Sequence, residues 1–244
     1  MRTVEAEMKR LQEAAAFYDS RRGLASRLCQ NGAGIICRHA DGGTMLELGC
    51  ANGVMTEVFA ARFGAGLCVV EGMPAHAETA REIVGENGEV YCALFEEFEP
   101  ARRFDNIAMA GILEHVADPV GLLRRARGWL AEGGSLHVIV PHALSLHRRV
   151  GVALGLSASP YELNEGDLAM GHRRVYDWSL LARDIAEGGL RVVAKEGSFL
   201  KPLSNRQMEG WPDELLDAFQ SLGTDNLDLC AEIYAKCQVK EGRL

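Results

Sequence analysis

The sequence has no dense run of lysine or arginine. Its 244 residues include 26 Lys and Arg against 34 Asp and Glu, which gives a formal net charge of −8 and a pI near 5.4. Because a nucleic-acid-binding protein normally carries a basic face, this balance disfavours DNA or RNA as a partner. No apolar run approaches the roughly 18 residues that a membrane-spanning helix needs, and the charged N-terminus lacks the apolar core of a signal peptide. We therefore expect a cytoplasmic protein that does not bind membranes.

Paired cysteine motifs are also missing. The seven cysteines are scattered along the chain without a Cys-x-x-Cys pair, so the sequence predicts neither a zinc site nor an iron–sulfur cluster. We expect them to be reduced, buried small residues, and we expect no bound metal. Internal repeats and low-complexity tracts are absent. With 48% hydrophobic residues, the chain is long enough to bury one sizeable core.

A short apolar run followed by a glycine-containing turn is the most informative stretch that is present. Residues 45–48 predict a buried strand, Gly49 and Gly53 lie in a tight turn, and a helical pattern follows at once. Such a turn brings free backbone N–H groups and the positive end of a helix dipole to a ligand. The spacing Gly-x-x-x-Gly differs from the Gly-x-Gly-x-x-Gly of dinucleotide-binding proteins, because Ala51 stands where the second glycine would be.

Two further apolar runs end in residues that could contact the same ligand. The run 66–70 leads to Glu71, roughly 20 residues beyond the first glycine of the turn. In a Rossmann-like unit an acidic residue at this point accepts hydrogen bonds from both ribose hydroxyls. The run 89–95 ends in Phe95 and is followed by Glu96. An aromatic face and an acceptor for an exocyclic amine suit an adenine base.

A fourth run, 104–110, leads through Gly111 into Leu-Glu-His-Val-Ala-Asp-Pro at 113–119. Together with Glu-Leu-Gly-Cys-Ala-Asn-Gly at 47–53, this segment resembles the corresponding motifs of class I S-adenosylmethionine-dependent methyltransferases. The resemblance covers residues 44–140 well and the rest of the chain only loosely. It implies methyl transfer from S-adenosylmethionine, with S-adenosylhomocysteine as the product.

The alternation of strands and helices from 44 to 140 predicts a parallel sheet covered on both faces, with ligands at the carboxyl ends of its strands. The resemblance implies an α/β fold, Rossmann-like and doubly wound, whose mostly parallel seven-stranded sheet has an antiparallel last strand. We expect a single domain over 1–244, divided into an N-terminal helical lid (1–40), a cofactor-binding half (44–140), an acceptor-pocket insertion (141–176) and the C-terminal part of the sheet (177–244). The predicted cofactor-binding residues are Tyr18, Glu47, Gly49, Cys50, Ala51, Gly53, Glu71, Gly72, Met73, Phe95, Glu96, Ala110, Gly111 and His115.

Residues 141–176 are longer than a normal strand-to-helix connection, and long structured loops are disproportionately functional. A hydroxyl acceptor has a proton that must leave, and histidine titrates near neutrality. The candidates for a general base are therefore His142 and His172, followed by His147 and Tyr176.

Two His-Arg-Arg triplets occur in the same segment, at 147–149 and 172–174. Because guanidinium groups match the geometry of carboxylates and phosphates, the triplets favour an anionic acceptor. The alternative for each triplet is a solvated helix end or a salt-bridged cap. The predicted substrate-binding residues are Arg148, Arg149, Arg173 and Arg174.

Two missing patterns narrow the acceptor. No Asn-Pro-Pro-Tyr segment follows the fourth run, and no Asp/Asn cluster suggests a magnesium-dependent catechol enzyme. We therefore expect methylation of an O or N atom of a small molecule, with an anionic sugar or a natural-product intermediate as the candidate acceptor. The alternatives are a methyltransferase acting on protein or RNA, a non-catalytic S-adenosylmethionine-binding protein, and a nucleotide-binding oxidoreductase. The assembly could be a homodimer.

Overall fold

A computed structural model describes residues 4–17 and 19–240. The strands form one sheet in the order β3-β2-β1-β4-β5-β7-β6. The pairs from β3 to β5 are parallel, and β7 runs antiparallel between β5 and β6. The predicted Rossmann-like sheet with its antiparallel last strand is therefore confirmed. The strands are β1 (Met45–Leu48), β2 (Leu67–Glu71), β3 (Glu89–Cys92), β4 (Phe104–Ala110), β5 (Leu130–Pro141), β6 (Leu190–Ser198) and β7 (Glu232–Val239).

From β1 onwards most helices alternate with the strands. Additional helices precede β1 and lie in the 141–176 segment. Prolines stand at the first turn of α4 and α5, and Asp177 caps α8 by accepting a hydrogen bond from the N–H of Leu180 at 2.7 Å. The helices are α1 (Val4–Phe17), α2 (Gly23–His39), α3 (Val54–Phe63), α4 (Pro74–Val84), α5 (Pro119–Trp129), α6 (Leu146–Ala153), α7 (Glu165–Ala169), α8 (Trp178–Glu187) and α9 (Asp213–Asp225). None of the described helices is both long and apolar enough to cross a bilayer.

Alternate residues of the strands pack into two cores, one on each face of the sheet. Leu46 and Leu48 of β1 belong to the core that includes residues of α5 and α8. Met45 belongs to the opposite core, which includes residues of α2, α3 and α4. Both faces are buried because parallel strands need cover on each side. Because β1, β2, β4 and β5 are parallel, their carboxyl ends lie at the same edge of the sheet.

The end of β3 differs from the prediction, because the strand stops at Cys92 and not at residue 95. The N–H groups of Glu97 and Phe98 both donate to the carbonyl of Leu94, which turns the chain away from the sheet. Cys92 is also exposed, against the expectation of buried cysteines, because β3 is an edge strand of the sheet. The other cysteines are buried or partly buried, and all seven are free thiols.

Candidate active site

A cavity of about 380 Å³ lies along the carboxyl ends of the parallel strands. Its lining comes from the turns after β1, β2, β3, β4 and β5, from the start of β7, and from α1 and α2. We call the part lined by Glu47, Glu71 and Phe95 the β2 side. The part lined by Glu114, His172 and Lys201 is the β5 side.

The β1–α3 turn requires glycine at two positions. Gly49 has φ +74°, and a Cβ atom there would lie 2.7 Å from Cδ1 of Ile112. Gly53 has φ +83°, and its Cβ would lie 2.3 Å from Cδ1 of Ile83. Both conformations belong to the left-handed region that favours glycine. Gly49 lines the cavity, whereas Gly53 shapes the turn and caps α3 without being among the lining residues.

Glu71 ties this turn to the end of β2. Its Oε2 accepts hydrogen bonds from the backbone N–H groups of Cys50 at 3.0 Å and Ala51 at 3.3 Å. Its Oε1 accepts one from the N–H of Met73 at 2.8 Å. The carboxylate is buried and faces the cavity. It therefore stands where the sequence predicted a carboxylate for ribose hydroxyls.

Glu47 is a buried carboxyl group with an unused acceptor. The side chain is 2% exposed, and its Oε2 has no hydrogen-bond partner. Burial and, to a lesser degree, the nearby Glu71 raise the pKa of Glu47 to about 8. An unsatisfied buried polar atom is unfavourable, so a cationic group in the cavity would stabilise this side chain.

The walls of the β2 side come from the turns after β2 and β3. Gly72 and Met73 follow β2, and Leu94, Phe95 and Glu96 follow β3. Apolar and aromatic surfaces next to a carboxylate suit a flat base with an amino group. The predicted residues Gly72, Met73, Phe95 and Glu96 thus line the same cavity, together with Leu94, which was not predicted.

The lining continues past β4 with three more predicted residues, Ala110, Gly111 and His115. The N–H of Gly111, whose φ is +68°, donates to the carbonyl of Ile139 on β5. Burial is the main cause that lowers the pKa of His115 to about 3, and its ring meets that of His172 edge-on with centroids 4.7 Å apart. His115 is therefore neutral at physiological pH.

The β5 side contains a histidine that is held by an ion-paired aspartate. Nδ1 of His172 lies 3.3 Å from Oδ1 of Asp167, within ion-pair distance but without hydrogen-bond alignment. Oδ2 of Asp167 accepts a hydrogen bond from Arg148 at 2.6 Å. Burial alone would raise the pKa of Asp167, but His172, Arg148 and the N–H of Asn164 together lower it to about 2. Asp167 therefore stays charged behind His172.

Glu114 faces the same histidine. It is 2% exposed, its Oε2 has no partner, and burial raises its pKa to about 7. Glu114, His115 and His172 each offer one ligand atom, and these atoms lie within 4.8 Å of one another. Glu114 can exchange a proton near neutral pH, and the donor set of the cluster also suits a divalent cation. The expectation that no metal is bound stays a prediction.

Two of the four predicted bases lie outside the cavity. Nδ1 of His142 donates to the carbonyl of Cys230 at 3.2 Å, and the hydroxyl of Tyr176 donates to Asp184 at 3.0 Å. Both side chains are buried and fasten the segment 141–176 to its neighbours. Burial and Asp184 also raise the pKa of Tyr176. The predicted set of candidate bases is therefore corrected: of the four, only His147 and His172 line the cavity.

These two histidines differ in their surroundings. His147 lines the cavity, but burial first, and then Lys201 and Arg148, lower its pKa to about 2. Such an imidazole is a poor proton acceptor near neutrality. His172 has the carboxylate of Asp167 beside it and is the stronger candidate.

The arginines of the two triplets are used inside the protein. Arg148 lines the cavity in its ion pair with Asp167. The other three are not among the lining residues, and each donates to backbone carbonyls: Arg149 to Leu144, Arg173 to His115, and Arg174 to Leu113 and Val116. For Arg149, Arg173 and Arg174 the expected role in binding an anionic acceptor is corrected to bracing the loops, which is the alternative that the sequence left open, whereas the role of Arg148 stays a prediction.

Several lining residues had not been singled out from the sequence. Asp167 belongs to a capping box with Asn164 at the start of α7, a pattern that a reader of the sequence could have found. Glu114 directly precedes His115 in the Leu-Glu-His-Val motif. Nothing in the local sequence marks Lys201 or Glu232. The prediction for Tyr18 lies outside the described residues, although Leu11, Ala14 and Leu28 bring α1 and α2 into the wall.

A family model described as a methyltransferase domain matches residues 18–195. The "Ubiquinone biosynthesis O-methyltransferase" of Parvibaculum lavamentivorans is 26% identical over 173 residues, which cover 66% of this chain and 64% of the relative. The protein with the same name from Methylobacterium sp. (strain 4-46) is 29% identical over 174 residues, covering 67% and 66%. This chain thus spans slightly less than two thirds of the length of these two relatives.

Solved structures give the same fold at low sequence identity. The N-methyltransferase NodS from Bradyrhizobium japonicum WM9, in complex with S-adenosyl-L-homocysteine, superposes with a TM-score of 0.62 at 16% identity, over 96% of this chain and 99% of NodS. The 1,6-didemethyltoxoflavin-N1-methyltransferase from Burkholderia thailandensis gives a TM-score of 0.64 at 15% identity, over 97% and 89%. At such identities the likeness concerns the fold alone.

Proposed function

Because this chain belongs to the family of methyltransferase domains, we propose that it transfers a methyl group from S-adenosylmethionine to a hydroxyl oxygen of a small molecule. The family assignment confirms the predicted class of enzyme, and S-adenosylmethionine as the methyl donor is part of the proposal. The choice of acceptor atom and of catalytic residues is the rest of the proposal. One observation carries it: a single cavity joins a part suited to the cofactor with a part that contains His172 and Asp167.

The residues of the β2 side fit S-adenosylmethionine. Glu47 has a buried oxygen without a partner, which could accept a hydrogen bond from the ammonium of the cofactor. Glu71 could accept hydrogen bonds from the ribose, and Phe95 could pack against the adenine. When bound, the cofactor supplies an activated methyl group on a sulfonium. The protein therefore has mainly to align the acceptor and exclude water.

A hydroxyl acceptor must lose its proton as its oxygen takes the methyl group. His172 is the proposed general base, because it lines the cavity and has Asp167 within 3.3 Å of Nδ1. A carboxylate beside one ring nitrogen attracts the positive charge that the imidazole gains when it takes a proton. Glu114, whose pKa is raised to about 7, can relay or share the proton. The name shared by the relatives from Parvibaculum and Methylobacterium also supports oxygen as the methylated atom.

Helix α1 covers part of the cavity, and this cover favours a small acceptor over a macromolecule. Leu11 and Ala14 of α1 line it, and Arg10 donates from α1 to the carbonyl of Gly171 at 2.8 Å. The chain also carries a net charge of −8, which opposes binding of RNA.

The experiment incubates the protein and S-adenosylmethionine with a panel of small phenols, alcohols and amines, in the presence of EDTA. Mass spectrometry then detects S-adenosylhomocysteine and the methylated product. We expect O-methylation of at least one hydroxyl compound, and a fall in kcat of about 100-fold in His172→Gln with unchanged affinity for S-adenosylhomocysteine. If only amines were methylated, the methylated atom would be nitrogen and the proposal of a hydroxyl oxygen would be wrong. Loss of activity with EDTA, restored by Mg²⁺, would assign a metal to the Glu114 cluster.

A further inference from the structure

Three cations of the described residues line the cavity, and they differ in their partners: Arg10, Arg148 and Lys201. Arg10 forms an ion pair with Glu7, and Arg148 forms one with Asp167. Around Lys201, no carboxylate oxygen of the described residues lies within the 4.0 Å of an ion pair. Its Nζ donates to the amide oxygen of Asn205 at 2.9 Å. An ammonium has three donors, so two remain for a ligand.

The backbone holds Lys201 in this place firmly. β6 ends at Ser198, and Phe199 then adopts a left-handed φ of 57° that turns the chain. Phe199 is fully buried, and its carbonyl accepts a hydrogen bond from the N–H of Ala231. The N–H of Leu200 donates to the carbonyl of Phe219. The two residues that precede Lys201 are therefore anchored by backbone hydrogen bonds.

Glu232, the acidic group that attracts Lys201 most strongly, forms no ion pair with it. Glu232 begins β7 and lines the same part of the cavity, and its Oε2 accepts a hydrogen bond from the hydroxyl of Ser198 at 3.0 Å. Burial raises the pKa of Glu232. Burial also lowers the pKa of Lys201 to about 8, despite the attraction of Glu232. Burial is the largest cause of both shifts, so neither side chain is fully compensated by the other.

We propose that Lys201 binds a carboxylate of the acceptor, so that the substrate is a small molecule that carries both a hydroxyl and a carboxylate group. This inference rests on the proposed function and adds the chemical class of the acceptor. His172 follows α7 and Lys201 follows β6, and both line the β5 side. The hydroxyl of the acceptor would face His172, and its carboxylate would face Lys201. Of the triplet arginines only Arg148 lines the cavity, and it is already paired with Asp167.

The experiment compares acids with their neutral amides. Calorimetry at pH 7 titrates the protein, saturated with S-adenosylhomocysteine, with the 2-hydroxy-, 3-hydroxy-, 4-hydroxy- and 3,4-dihydroxybenzoates and with the four matching benzamides. The variants are Lys201→Met, Lys201→Arg and the control Lys195→Met. Lys195 lies exposed on β6 and contacts the ring of Trp178 instead of the cavity.

We expect at least one acid to bind about tenfold or more tightly than its amide, since a hydrogen bond to a charged group is the stronger kind. Lys201→Met should bring the two affinities within about twofold, while Lys201→Arg and Lys195→Met keep the preference. The preference should also weaken as the pH rises through about 8, with Glu232, Arg148, Asp167 and His147 as the other charged or titratable groups around Lys201.

Three results would overturn the inference: equal affinities for acids and amides, no binding of any acid, or an acid preference that survives in Lys201→Met. The two proposals can fail separately. If the protein methylates neutral phenols and shows no preference for acids, only the role of Lys201 is wrong. If it binds S-adenosylhomocysteine but methylates no hydroxyl compound, the proposed function itself is wrong.

Discussion

The two sides of the cavity are built in different ways. The β2 side consists of residues at or directly after the ends of β1, β2 and β3, and its polar contacts are largely between Glu71 and the backbone N–H groups of the turns after β1 and β2. The β5 side consists of side chains from five separate segments, around residues 114, 147, 167–172, 201 and 232. The β2 side is therefore fixed by strand order and by glycine. The β5 side depends on how distant loops pack against each other.

The difference in construction suits two different tasks. A cofactor that many enzymes share can be bound by a turn that stays the same from one enzyme to the next. The acceptor differs from one enzyme to another, and loops can vary without disturbing the sheet. Variants that damage one side while sparing the other can test this division.

The largest effect is expected for Gly49→Val. A side chain at φ +74° is strained, and its Cβ would lie 2.7 Å from Ile112. The free energy of unfolding should fall by about 1–3 kcal/mol, and binding of S-adenosylhomocysteine should become undetectable by calorimetry. Gly43→Ala is the control, because a Cβ there meets no atom within 4 Å. Unchanged binding in Gly49→Val would contradict the assignment of this turn to the cofactor.

A smaller loss is expected for Glu71→Ala. The substitution removes the acceptor of three backbone N–H groups and the proposed partner of the ribose. Affinity for S-adenosylhomocysteine should fall about 100-fold, as measured by calorimetry. Glu78→Ala is a matched control, since Glu78 forms only an exposed ion pair with Arg81 on α4. Equal affinities of the two variants would remove Glu71 from the cofactor site.

Glu47 should make the stability of the β2 side depend on pH. Its pKa is raised from 4.5 to about 8, so the folded protein holds a proton that the unfolded chain has released. Stability is therefore lost as the pH rises from about 4.5 through about 8. Relative to the wild type, Glu47→Gln should gain on the order of 2 kcal/mol between pH 5 and pH 8 in urea unfolding. Saturating S-adenosylmethionine should reduce this gain, because its ammonium favours the charged carboxylate.

The sequence predicted the sheet and most of the β2 side because their signals are local. A strand, a glycine turn and an acid at the next strand end are read within about 30 residues. His142 and Tyr176 were misjudged because only the packed structure shows that they bond to Cys230 and Asp184. For the same reason, the sequence did not show that Arg149 donates to the backbone carbonyl of Leu144.

Lys201 is the reverse case. It lies 29 residues beyond His172 in the sequence, in a loop without a motif, and reaches the cavity only because Phe199 turns the chain after β6. Local patterns carry no information about such a juxtaposition. For the β5 side, the sequence could therefore supply the candidate residue types but not their partners.

The smallest effect is expected for Asp167→Asn, which should act on the β5 side alone. The amide keeps the shape of the side chain but removes the charge that faces Nδ1 of His172 and pairs with Arg148. We expect kcat to fall about tenfold, because His172 remains but loses the neighbouring charge that stabilises its protonated ring during the reaction. Affinity for S-adenosylhomocysteine should be unchanged, since Asp167 is not among the residues proposed to bind the cofactor. Glu165→Gln, an exposed change in the same helix, controls for altered surface charge. If Asp167→Asn weakened cofactor binding as strongly as Glu71→Ala, the two sides would form one coupled unit and the division drawn above would be wrong.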